Sequence, residues 1–136
     1  MATDIGFSHI ALQVSDIDRS IAFYQRWAGM TVVDRLEDPT SGAKAARMSD
    51  PSRGERFAIA LVQHGEVAHR LGGMSHLGVG CKDRAEVDRF AKEADAEGCL
   101  QHGPVDAGFP LGYWAFLADP DGHQLELSYG QNDPNA

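Results

Sequence analysis

The sequence is poor in most of the features that mark specialised proteins. It has only two cysteines, Cys81 and Cys99, in neither a zinc spacing nor a disulfide framework. Positive charge is scarce: 12 Lys and Arg against 20 Asp and Glu leave a net charge of −8. That balance argues against nucleic acid and anionic membrane as partners, because both are held largely through clustered positive charge. Apolar runs such as Ala58-Ile59-Ala60-Leu61-Val62 fall far short of a membrane span. The opening residues, Met1 to Gly6, lack the basic and apolar regions of a secretory signal, so a cytoplasmic protein with reduced thiols is expected. What is present is ordinary for a globular chain, with 43% apolar and 24% charged residues. A chain of 136 residues can bury roughly two-thirds of its unfolded surface, enough for a real core.

The chain repeats itself. Ser8-His9-Ile10-Ala11-Leu12-Gln13-Val14 and Ser75-His76-Leu77-Gly78-Val79-Gly80-Cys81 match at an offset of 67. Each is followed by a helix-start carboxylate, Asp16 or Asp83, able to accept from free N–H groups of a first turn. Phe23 and Phe90 match at the same offset, and Gly29 and Gly98 fit left-handed helix ends. Near the ends of the halves, Ile59-Ala60-Leu61 lies opposite Leu125-Glu126-Leu127 at an offset of 66. Two matching half-domains within one domain of residues 1–136 are expected, module 1 over about 6–64 and module 2 over about 73–129.

Each half reads as strand, helix and three further strands, an α+β class. In the first half a strand over 6–14 precedes a helix over 16–28, whose stripe is Ile17, Ile21, Tyr24 and Ala28, and strands over 31–37, 43–49 and 56–63. In the second, a strand over 75–81 and a helix over 84–97 precede strands near 99–102, 112–118 and 123–129. The last two join through Asp119-Pro120-Asp121-Gly122, a strong turn sequence. Gly103–Pro110 reads as a loop and 130–136 as a loose tail.

Three side chains carry chemistry in this pattern. His9 and His76 occupy the same register of the repeated first strand, each facing away from the apolar positions beside it. Glu126, between Leu125 and Leu127, faces the same way. Two imidazoles and a carboxylate on one site make a facial triad for a divalent metal with open positions.

These residues bring a family into view. His9-Ile10-Ala11-Leu12-Gln13-Val14-Ser15-Asp16, Ser20-Ile21-Ala22-Phe23-Tyr24 and Gly29-Met30 resemble the opening of vicinal oxygen chelate proteins. His76-Leu77-Gly78-Val79 and Phe116-Leu117-Ala118-Asp119-Pro120-Asp121-Gly122-His123-Gln124-Leu125-Glu126-Leu127 resemble their second half. The likeness spans about residues 6–129 and takes in glyoxalase I, extradiol dioxygenases, methylmalonyl-CoA epimerase, fosfomycin-resistance enzymes and bleomycin-binding proteins. It implies two βαβββ modules whose sheets form a cup around a central site. It also implies a homodimer, a small-molecule substrate, and metal ligands at His9, His76 and Glu126. The implied metal is Fe(II), with Mn(II), Ni(II) or Zn(II) as alternatives.

Departures from the family narrow the reaction. Glyoxalase I and the epimerase resemble the chain but use a fourth ligand, and the internal alignment puts Ala60 there, with Gln63 out of phase. Three ligands suit extradiol and fosfomycin-type enzymes, and extradiol-like ring cleavage is the favoured expectation. A glyoxalase-type lyase or fosfomycin-type thiol transferase is the alternative, and a metal-free drug binder a further one. The extradiol acid/base His and Tyr positions hold Phe57 and Phe116, so His64, His69, His102 or Tyr113 would have to substitute. The fosfomycin pattern is incomplete too, with Ala11 where a Thr is typical and no Lys or Arg over 105–112. Arg47, Arg53 and Arg56 could meet an acidic substrate but read more simply as solvated charges. His123 reads as a turn residue, Tyr24 and Trp27 as packing, and Cys81 as buried toward the helix.

Overall fold

The protein is described by a computed structural model covering residues 5–54 and 57–136. Two compact units divide the chain, Met1–His69 and Arg70–Ala136.

In unit 1, β1 (His9–Gln13) is followed by α1 (Ile17–Ala28), β2 (Thr31–Glu37), β3 (Lys44–Ser49) and β4 (Ala58–Gln63). The strands order as β1-β4-β3-β2, with β1 parallel to β4 and the other pairs antiparallel. The helix starts where the sequence predicts, because Asp16 Oδ1 accepts from the backbone N–H groups of Asp18 (3.1 Å) and Arg19 (3.3 Å). A second cap comes from Gln63 Oε1, which accepts from Ile17 N at 2.8 Å; Gln63 is therefore used on the helix side. Gly29, at φ 64°, ends the helix in the left-handed conformation. Ile17, Ile21, Tyr24 and Trp27 bury their side chains, and Leu12, Ile59, Leu61, Ala46 and Met48 are buried on the strands. Each large apolar side chain so buried contributes roughly 1.5–3 kcal/mol.

Unit 2 repeats the plan with β5 (Leu77–Gly80), α2 (Arg84–Ala96), β6 (Leu100–Asp106), β7 (Tyr113–Ala118) and β8 (Gln124–Tyr129), ordered β5-β8-β7-β6. Asp83 Oδ1 accepts from Glu86 N (2.8 Å) while Glu86 Oε2 accepts from Lys82 N (2.8 Å), an exchange of the capping-box kind. Val87, Ala91 and Ala115 form the core under α2, with Cys81, Leu100, Tyr113 and Tyr129 packed against them. The expected α+β plan of one helix and four strands per half is what the chain adopts.

Two expectations are corrected. Residues 103–106 belong to β6 and are not loop. The misreading came from Gly103 and Pro104. As the edge strand, β6 tolerates a proline without losing a ladder bond, and its register shifts on both sides of His102. Residues 130–136 are not a loose tail either. Asn132 N donates to Pro110 O (2.9 Å), Asp133 N to Gly130 O (3.2 Å) and Ala136 N to Asp133 O (3.3 Å).

Candidate metal centre

β5, β7 and β8 bring the unit 2 donors together. Parallel pairing sets Gly78 opposite Glu126, and antiparallel pairing sets Phe116 on the other side of Glu126. His76 is two residues before Gly78, so alternation puts its ring on the same face as Glu126, away from Leu125 and Leu127. His76 Nε2 stands 3.1 Å from Glu126 Oε2. The Glu126 side chain is only 9% exposed, against 31% for His76.

A separation of 3.1 Å is that of a hydrogen bond or ion pair, and it is also the spacing two donors to one ion would have. Donors at right angles on an ion with bonds of about 2.1 Å are separated by about 3.0 Å. The other ring nitrogen of His76, Nδ1, donates to the Met74 carbonyl at 3.2 Å, which orients the ring with Nε2 toward the carboxylate. The second carboxylate oxygen, Glu126 Oε1, accepts from Gln131 Nε2 at 2.7 Å. Gln131 was missed by sequence reasoning, because it lies in the segment expected to be loose. The nearest signal was its position just past the strand that carries Glu126.

The third expected ligand, His9, begins β1 of unit 1, with its Nδ1 sharing a 2.9 Å hydrogen bond with Ser8 Oγ. That contact engages Nδ1, and Nε2 takes no part in it. Among the described residues, no three His, Cys, Asp or Glu side chains stand as one metal-binding group. His76 and Glu126 are thus brought together within unit 2, and His9 stands on β1 of unit 1. The register also locates the position corresponding to Glu126. Ala11 pairs with Ala60 as Gly78 pairs with Glu126, so unit 1 has a methyl where unit 2 has a carboxylate. Arg47 is the β3 neighbour of Ala60, as Phe116 is the β7 neighbour of Glu126.

The remaining candidates separate by face. Tyr113 is on the helix side, its hydroxyl donating to Asp88 Oδ1 and its ring under the Arg84 guanidinium. The Asp88 bond holds its phenol above the ordinary range. The structure therefore parts Tyr113 from the His76–Glu126 pair. His102 pairs with Phe116 and shares the Glu126 face. Its ring centroid is 5.6 Å from Trp114, Trp114 is 5.1 Å from Phe116, and Phe116 is 4.9 Å from His76. A continuous row of four rings thus runs beside the carboxylate. His64 and His69 are exposed after β4, His64 within the field of Asp38. His123 is 1% exposed, and its Nδ1 accepts from Leu71 N at 3.0 Å, a structural role.

Arg47 is held by Asp34 through Nε (2.9 Å), which keeps that carboxyl below its ordinary range, and Arg53 pairs with Asp50 at 3.5 Å. Arg56 lies outside the described residues. Among the described residues, no helix is long and apolar enough to cross a membrane.

Comparison with known proteins agrees with this architecture. Protein PA2024 of Pseudomonas aeruginosa is 38% identical over 125 residues, covering 91% of this chain and 88% of that protein. The lactoylglutathione lyase of Salmonella typhimurium is 29% identical over 121 residues, 88% of each. A mutant of FosX, the genomically encoded fosfomycin resistance protein of Listeria monocytogenes, is similar in fold. Solved with Mn(II) and 1S,2S-dihydroxypropylphosphonic acid, it has a TM-score of 0.73 at 22% identity over 93% of both chains. A family match covers residues 6–127, and on that span the chain belongs to the Glyoxalase/Bleomycin resistance protein/Dioxygenase superfamily, the vicinal oxygen chelate proteins.

Proposed function

We propose that the chain is a divalent-metal-dependent enzyme whose small substrate binds through two adjacent oxygens, and that its reaction does not consume dioxygen. The observation that carries this reading is the His76 Nε2–Glu126 Oε2 contact of 3.1 Å, with each partner's second polar atom already engaged. His9 Nε2 completes the set, from the same chain or from a second copy of it. When bound, the ion supplies Lewis acidity, lowering the pKa of a substrate oxygen and stabilising the anion that forms. His76, Glu126 and His9 would hold it, and three protein ligands would leave coordination positions for substrate. Ala60 adds no donor at the position of the lyase-type fourth ligand, and three ligands are the expected number. The named relatives, a lactoylglutathione lyase and a fosfomycin resistance protein holding Mn(II), favour oxygen-independent chemistry and Mn(II) ahead of Fe(II). Phe57 and Phe116 stand where extradiol enzymes would need proton-transferring groups. Phe116 and Trp114 form an apolar wall beside Glu126 that offers no proton to a bound substrate.

A second reading, extradiol ring cleavage, is favoured by that same aromatic wall, which suits a flat ring. His102, on the Glu126 face, is then the group within the row able to carry a proton. One experiment separates the two. Metal content is measured by mass spectrometry on protein purified without oxygen, wild type beside His76→Ala, and turnover is then compared with and without air. Near-stoichiometric metal lost in the variant, with turnover of an epoxide, thiol-adduct or 2-oxoaldehyde panel unaffected by oxygen, is the expected result. Turnover of a catechol with matching oxygen uptake transfers the protein to the second reading. Absence of metal in wild type, even after reconstitution with Mn(II), Fe(II), Ni(II) and Zn(II), defeats both.

A further inference from the structure

Glu126 does not meet His76 by chance of rotamer. Its two oxygens have different partners: Oε2 faces His76 Nε2 at 3.1 Å, and Oε1 accepts from Gln131 Nε2 at 2.7 Å. A carboxylate whose one oxygen is occupied by an amide donor presents the other alone. We propose that Gln131 is the positioning residue of the metal centre, fixing Glu126 as a one-oxygen ligand and so keeping a coordination position open for substrate. The inference rests on the metal-dependent reading above.

Gln131 is itself built into place. It follows Gly130, at φ 77°, where the chain turns out of β8. Asn132 N then donates to Pro110 O (2.9 Å), tying the segment to the loop before β7. That loop is closed on itself by Ala107 N to Gly112 O (2.9 Å) and Gly112 N to Gly108 O (2.8 Å). The fit around Gly112 is tight. A Cβ there would lie 2.5 Å from Tyr129 O and 3.0 Å from Gln131 N, at a φ of +80° that side chains rarely adopt. The glycine lets the loop approach the main chain that carries Gln131. Hydrogen-bond partners that orient ligands in this way typically change metal affinity by about 10–100-fold when removed.

The test is titration of apo protein with Co(II), whose visible bands report coordination. Wild type, Glu126→Ala, Gln131→Met and Gln131→Ala are compared. Methionine keeps the length of glutamine and removes the donor. The expected result is Co(II) binding weakened about 10–100-fold in both Gln131 variants. Their bands should differ from wild type as the freed carboxylate offers both oxygens, while apo melting temperatures stay close to wild type. A merely structural role would lower the melting temperature and leave the bands of the bound form unchanged, which would overturn the proposal. Wild-type affinity and bands in both variants, with binding still lost in Glu126→Ala, would overturn it too and leave the metal reading standing. No Co(II) uptake by wild type overturns the metal reading and the role of Gln131 with it.

Discussion

Cys81 packs against α2 beside Val87 and Ala91, and burial, reinforced by the Glu86 carboxylate, pushes its thiol up to about 11 from an ordinary 9.0. The folded chain therefore keeps a proton that the unfolded chain loses between pH 9 and about 11. This contribution to stability is whole below pH 9 and falls as pH rises toward the folded value. The stability gap between wild type and Cys81→Ala, measured by urea unfolding, is expected to be constant up to pH 8.5 and to narrow by pH 10.5. A gap independent of pH would assign the shift to some other group. The same burial predicts slow alkylation of Cys81 at pH 8, since the thiolate is the nucleophile. Three other residues show how far local sequence reaches. His76 and Glu126 are legible because alternation and the repeat state which way they face. Gln131 is not, because the reach of one amide back to a carboxylate five residues earlier depends on a turn no pattern encodes.

At the scale of elements, the repeat made the fold readable. Asp16 and Asp83 mark the helix starts, Gly29 and Gly98 their ends, and β2 runs over the residues expected for it. The pattern failed at β6, where glycine and proline signal a break that the edge position absorbs. Gly103 is needed there for a second reason. At φ +96°, a Cβ would meet Trp114 O at 2.8 Å and Ala115 Cα at 3.0 Å, both backbone-bound atoms with little freedom to move. Gly103→Ala combines the dihedral strain with a backbone clash and is expected to cost about 1–3 kcal/mol or more. Chemical denaturation measures it directly, and Gly6→Ala, where the added methyl meets nothing within 4 Å, is the control. A cost below about 0.5 kcal/mol would mean that β6 shifts to relieve the contact. Because β6 carries His102 and adjoins Trp114, the same substitution is expected to displace the ring row beside Glu126.

For the whole molecule, the two units share a plan but not a donor set: unit 2 offers an imidazole and a carboxylate, and unit 1 an imidazole and the Ala60 methyl. Sequence could state this asymmetry, because it needs only register; it could not state the distances that make His76 and Glu126 a pair. A site made of native distances couples metal binding to folding. The unfolded chain loses the 3.1 Å arrangement, so an ion at 100 times its dissociation constant stabilises the fold by about 2.7 kcal/mol. For a chain of this length that corresponds to a rise in melting temperature of roughly 10 °C. The net charge of −8 complicates the measurement, since a negative field attracts any divalent cation. Two features separate the contributions. Field attraction is screened in 0.3 M salt, where the Debye length shrinks to about 6 Å, whereas bonds to the proposed ligands His76 and Glu126 would not be. Field attraction is also insensitive to the loss of one side chain among the many that set the field. Scanning calorimetry with Mn(II) in 0.3 M salt is therefore expected to show the rise in wild type and not in His76→Ala. An equal rise in both proteins, or one abolished by salt, would assign the effect to surface charge and remove the His76–Glu126 pair as its cause.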